Sequence, residues 1–220
     1  MDYQKINAET IDRWVEEGWE WGQPISHEEY IKARHGIWDV VLTPTKKVPH
    51  EWFGDLTGKK VLGLASGGGQ QMPVFAALGA DCTVLDYSVK QLESERYVAE
   101  REGYDIHIIR GDMTKTLPFE DEAFDLIFHP VSNCYVKDVK GIWKECWRVL
   151  KKAAFSYPES IIISIMSLMK TSVRSSIVCH SIQRKMKIIE NNSKEMMPGC
   201  SFRTPSRNRL MDSLRRVLLL

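Results

Sequence analysis

The chain lacks the features that mark several protein classes. Its five cysteines (Cys82, Cys134, Cys146, Cys179, Cys200) are scattered and form no CxxC pair. That pattern offers neither a disulfide framework nor a structural zinc site, and it points to a reducing, cytoplasmic setting. No stretch approaches the roughly 20 apolar residues of a membrane span, and no early apolar run resembles a signal peptide. A membrane is therefore not an expected partner. The formal net charge is +1, so the totals give no argument for nucleic acid.

With 220 residues, one sizeable core is the default expectation. The chain is organised around Val61–Ala80, which reads as strand, glycine turn and helix. Val61 to Ala65 is a short apolar run of the kind buried on both faces of a sheet. Gly67, Gly68 and Gly69 allow a tight turn and are expected to leave backbone N–H groups open to a ligand. Gln70 to Leu78 is helical in pattern, stopped by Gly79.

Residues 1–58 form an aromatic-rich leader. Ile11, Trp14 and Val15 fall at helical spacing before Gly18, and Ser26-His-Glu-Glu29 is a capping box opening a helix to about Arg34. Its tryptophans are expected to pack on the main domain, and a sharper reading has the leader also covering a bound ligand. Residues 59–152 then alternate strand and helix: a strand at Asp81–Leu85 ending in Asp86, a helix from Ser88 to about Glu102, and a strand at Asp105–Arg110 entering Gly111-Asp112-Met113. A fourth strand, Leu126–Phe128, ends at His129, and Val139, Ile142, Trp143, Cys146, Trp147 and Leu150 make one helical stripe. Such alternation predicts an α/β fold with a doubly wound, mostly parallel, Rossmann-like sheet.

In such sheets ligands bind beyond the carboxyl ends of the strands. Four strand ends carry suitable groups: the Ser66–Gly69 loop, Asp86, Asp112 and His129. Asp86 lies 17 residues past Gly69, close to the spacing of an acid that accepts both hydroxyls of a ribose. Asp112 is placed to accept from an adenine amino group while Met113 packs on the ring. For both aspartates a turn or capping role is the alternative. Gln70 and Gln71 offer further polar contacts, with helix solvation as the alternative. His50 and His129 are candidates for the acceptor side, and the alternative for each is an ordinary hydrogen-bonded residue. A nicotinamide fingerprint would want a third glycine where Met72 stands.

The succession VLGLASGGGQQ, VLDYS, RGDM, FDLIFHPVSN and WRVLKK resembles the class I S-adenosylmethionine-dependent methyltransferases, in the branch related to the ubiquinone and type 11 enzymes. The likeness covers about residues 59–152. It implies S-adenosylmethionine as cofactor and a small-molecule methyl acceptor. The methionine portion would lie at Ala65, Ser66, Gly67, Gly68 and Gly69, with Gln70 beside it. Asp86 and Tyr87 would serve the ribose, Gly111, Asp112 and Met113 the adenine, and His129 would sit near the sulfonium. The chain departs from the family in having Gly63 where an acid is common.

Residues 153–220 follow different rules. They hold 11 Lys/Arg against 4 Asp/Glu and 12 of the serines, while all seven tryptophans precede them. A basic tail on an RNA methyltransferase would explain the charge but not the apolar run Ile161–Met169. One base lost after the codon for Lys152 accounts for both: an alternative frame can supply the turn, strand, polar segment, helix start and final strand that the fold should have next. The expectation is a frameshifted tail, a sheet without its native C-terminal strands, and an impaired or non-catalytic product that keeps part of a cofactor site.

Overall fold

A computed structural model describes residues 3–43, 46–130 and 132–151. The tail from Ala153, including the expected fifth strand and the frameshift reading, lies outside the described residues. Four strands form one parallel sheet: β3 (Lys60–Leu64), β4 (Asp81–Asp86), β5 (Ile106–Arg110) and β6 (Leu126–Phe128), in the order β5-β4-β3-β6. A small antiparallel pair, β1 (Val41–Thr43) and β2 (Lys46–Lys47), precedes them. The helices are α1 (Tyr3–Glu16), α2 (His27–Arg34), α3 (Met72–Ala77), α4 (Val89–Glu102) and α5 (Lys140–Val149).

Strand alternation explains the two layers. Along β3, Val61, Leu62 and Leu64 are all buried, so both faces of the strand are covered. A side chain at Gly63 would lie 2.5 Å from Met72 Sδ, so α3 packs directly on that face. On the other face, Leu62 and Leu64 join Ile127 in a cluster with Ile142, Cys146 and Val149 of α5. The expected stripe of α5 is thus mostly inward, but Trp147 is 36% exposed and Val149 takes the buried position beside Cys146. A helix repeats every 3.6 residues, so the stripe drifts and its outer member reaches solvent.

The strand order places the reversal point between β3, which pairs with β4 on one side, and β6 on the other. Chain leaving the tops of these two neighbours diverges, and the gap between them is where a ligand fits.

The leader is fastened over that gap. Trp38 stacks on His50 with ring centroids 3.8 Å apart, and an aromatic series then runs Trp38, Phe53, Phe75, Phe128 from leader to sheet. The capping box at Ser26 is present, with Ser26 N donating to Glu29 Oε2 and Glu29 N to Ser26 Oγ. Asp12 of α1 reaches the start of α4, where its Oδ1 accepts from Ser88 Oγ at 2.6 Å and from Lys90 N at 3.0 Å. Asn7 Nδ2 donates to Tyr135 O in the turn after β6.

Phe75 is fully buried between Phe53 and Phe128. Phe75→Ala is expected to cost about 3–5 kcal/mol of stability in urea unfolding, the usual range for emptying such a site. Asp12→Ala removes a capping acceptor and should cost about 1 kcal/mol. It should also speed tryptic cleavage at Arg13, which a protease time course would read.

Candidate functional site

A cavity of about 270 Å³ opens at the carboxyl ends of β3 and β4. Nine of the residues expected at a cofactor site line it: Ala65, Ser66, Gly67, Gln70, Asp86, Tyr87, Gly111, Asp112 and Met113. Three others do not: Gly68, Gly69 and His129 stand behind the wall.

The glycine turn differs from the expectation of open N–H groups. Gly67 N donates to Asp86 Oδ2 at 3.0 Å, Gly68 N to Gln91 O at 2.9 Å, and Gly69 N to Glu95 Oε2 at 2.8 Å. All three amides are taken by β4 and α4, because the loop lies flat against the start of α4. A Cβ at Gly68, whose φ is +108°, would meet Gln91 Oε1 at 2.3 Å, and one at Gly69 (φ +66°) would meet Val98 Cγ2 at 2.7 Å. These glycines are therefore required by close approach as well as by backbone conformation. Ala65, at the head of the turn, also has positive φ, at +49°.

Asp86 ends β4 with its Oδ1 accepting from Ser88 N at 3.0 Å. Burial raises its carboxyl above the usual range, while the N–H groups of Ser88, Gly67 and Tyr87 pull the other way. Each carboxylate oxygen has two lone pairs, so Asp86 retains acceptor capacity toward the cavity. Asp112 Oδ1 is engaged by Thr114 through its N–H and hydroxyl, in the turn role that was its alternative. Its Oδ2 has no hydrogen-bond partner among the described residues, so the turn role leaves one oxygen for a ligand. Met113 is buried against the same wall. Tyr87 carries Arg110 over its ring at 5.6 Å.

Gln70 and Gln71 line the cavity and also anchor the leader. Gln71 Oε1 accepts from Val41 N at 2.8 Å and Gln70 Nε2 donates to Gln23 O at 3.0 Å, so both hold the leader backbone. His129 is fully buried. Its Nδ1 is 2.6 Å from Leu64 O and its Nε2 2.9 Å from Asn133 Oδ1. Burial holds the imidazole below its ordinary value, so the ring is neutral at pH 7. Its proton sits on Nδ1, the only atom that can donate to the Leu64 carbonyl, and the Asn133 amide must present its NH2 to Nε2. His50, stacked on Trp38 and exposed, is also off the cavity wall.

Further wall residues come from the leader (Gln4, Asn7, Ala8, Ile11 and Trp19), with Ser132 and Tyr135 opposite. Only the aromatic content of the leader signalled this, without saying which face of α1 would turn inward. Burial pushes the Tyr135 phenol up to about 12, so it serves at neutral pH as a hydrogen-bonding group and not as a base. Among the described residues, Ser66 Oγ and Gln91 Oε1 are buried without a partner, and both residues line the cavity. Both atoms are thus available to a polar group in the cavity. Among the described residues that line the cavity there are two aspartates and no Lys, Arg or His.

The chain was compared with known proteins. A family model described as a methyltransferase domain matches residues 62–157. The uncharacterized methyltransferase YbaJ of Bacillus subtilis is 50% identical over 146 residues, covering 66% of this chain and 57% of that protein. A demethylmenaquinone methyltransferase of Renibacterium salmoninarum is 34% identical over 111 residues, covering 48% and 45%. The chain thus spans about half the length of the curated relatives it matches. Among solved structures, a Methanococcus maripaludis protein assigned as an S-adenosyl-L-methionine-dependent methyltransferase shares the fold. Its TM-score is 0.50 at 18% identity, over 87% of this chain and 85% of that one. Residues 62–157 thus match a methyltransferase domain, carried on a parallel sheet ordered β5-β4-β3-β6.

Proposed function

We propose that this chain uses S-adenosylmethionine as methyl donor and transfers the methyl group to a small-molecule acceptor. The observation that carries the reading is the charge of the cavity. Its loop amides are already bonded to protein acceptors, and its described titratable lining is acidic apart from the tyrosines. A dinucleotide pyrophosphate would need free amides and would meet repulsion from Asp86 and Asp112. A cationic ligand carrying a ribose meets neither obstacle.

The residues present fit such a ligand. Asp86 would accept from the ribose hydroxyls, beside Tyr87. The free Oδ2 of Asp112 would accept from an adenine amino group, with Met113 against the ring and Gly111 allowing close approach. Ser66 Oγ and Gln91 Oε1, both unpartnered, would bond the remaining polar groups along Ala65–Gly69. When bound, the cofactor supplies a methyl group already activated by its sulfonium, so the protein's task is alignment and exclusion of water. The leader residues Ala8, Ile11 and Trp19 supply an apolar wall, and Gln4, Asn7 and Tyr135 supply polar contacts for an acceptor. His129 acts from behind as a support for the β3 and β6 ends, and no proton transfer is assigned to it.

We further propose that the protein resides in the cytoplasm, with its cysteines reduced, and that residues from Ala153 onward are read out of frame. The second reading is supported by the change in composition after Lys152. It predicts activity below that of an in-frame relative. Among the described residues no helix is long and apolar enough to cross a membrane.

Calorimetry should show binding of S-adenosylhomocysteine to the wild-type chain. Asp86→Ala should weaken it about 10- to 100-fold, the loss expected for hydrogen bonds to a charged group. Unchanged affinity in that variant would remove Asp86 from the site. Resequencing the gene should reveal a lost base near the codon for Lys152, and codons incompatible with the alternative frame would refute the frameshift.

A further inference from the structure

Beneath the glycine turn lies a carboxyl group that the cavity does not touch. Glu95, on α4, is fully buried. One oxygen, Oε2, accepts from Gly69 N at 2.8 Å, while Oε1 is buried with no partner. Gly69 is also where the leader is held, since Ile25 N donates to its carbonyl at 2.8 Å. One residue therefore joins α4, the loop whose neighbours line the cavity, and the leader that covers it.

The electrostatic surroundings are one-sided. The titratable groups that act on Glu95 are Asp86 and Cys82 of β4 and Tyr104 after α4, and no cation is among them. Burial pushes the carboxyl up to about 8; the Gly69 bond pulls it down and the Asp86 charge adds to the rise. In its neutral form the group accepts from Gly69 through its carbonyl oxygen and carries the proton on Oε1. Ionisation strengthens the Gly69 bond but leaves a buried charge facing Asp86.

We infer that Glu95 is a positioning residue that makes ligand binding in the cavity proton-linked: a cation arriving in front of the loop favours the carboxylate, which releases its proton to solvent and holds Gly69 more firmly. The inference rests on the reading that the cavity takes the cationic S-adenosylmethionine. By linkage, affinity should then rise with pH, by at most about tenfold per unit for one proton. S-adenosylhomocysteine lacks the sulfonium charge and should show a smaller rise.

Stability carries the opposite sign. The folded-state value lies above the ordinary carboxylate value, so the contribution of the neutral group is complete below about pH 4.5 and is lost as pH rises through about 8. Glu95→Gln keeps an acceptor for Gly69 and cannot ionise. Its melting temperature relative to wild type should therefore increase between pH 6 and pH 9.

Three measurements on the full chain test the proposal. In ligand-free protein the Gly69 amide resonance should titrate with a midpoint near pH 8, and should not titrate in Glu95→Gln. Calorimetry from pH 7 to 9 should show S-adenosylmethionine affinity rising several-fold in wild type, with proton release, and flat in Glu95→Gln. The melting difference should follow the sign given above. A Gly69 amide that does not titrate, or titrates equally in the variant, overturns the positioning role. Binding that is tight but independent of pH overturns the proton linkage alone. A wild-type chain that binds no S-adenosylmethionine at any pH overturns the cofactor assignment, and the linkage with it.

Discussion

The close contact between the glycine turn and the start of α4 is the constraint on which the site depends. Gly68 and Gly69 both have positive φ, and a side chain at Gly69 would also clash with Val98 and the Ser94 backbone. The three amides of the turn are bonded to Asp86, Gln91 and Glu95. A turn held this way no longer presents its N–H groups to an anion; it presents a shaped wall with the Asp86 carboxyl on it and the Glu95 carboxyl behind it. The same glycines that serve a phosphate in other α/β proteins here serve close packing, which leaves no free turn amide for an anion.

The leader completes what the sheet leaves open. Asp12 caps α4, Ile25 bonds Gly69, and Gln23 and Val41 are held by Gln70 and Gln71. Packing on the domain and covering the cavity are thus two consequences of one arrangement. The tryptophans divide between these tasks. Trp52 is buried and Trp38 stacks toward the sheet, while Trp19 is on the cavity wall. The position of the leader rests on these hydrogen bonds, each modest alone and mutually reinforcing because they meet at adjacent residues.

Much of the fold was legible in local patterns. Apolar runs of five or six residues became β3, β4 and β5, and Ser26 and Ser88 became the caps their spacing promised. Asp86, Asp112 and Met113 were legible as strand-end residues of a doubly wound sheet, and all three line the cavity. Glu95 was not legible: in VKQLESERYVAERE it is one charged residue among many, and only the packing of α4 under the loop singles it out. The bonds of Gln70 and Gln71 to the leader were not legible either, since a polar side chain near a turn has many partners and the sequence does not rank them.

By itself the sequence determined the order of strands and helices, the place of the glycine turn and the acids at the strand ends. Those follow from periodicity and from residues whose backbone preferences are strong. Tertiary structure alone decided which groups face the cavity. His129 is one residue past β6, yet its ring turns into the core because both nitrogens find partners there, Leu64 O and Asn133. The turn's amides, read as open, are closed by Asp86, Gln91 and Glu95 from elements 19 to 26 residues away. Contacts at that separation depend on how α4 is set against β3 and β4, and no local pattern encodes that setting.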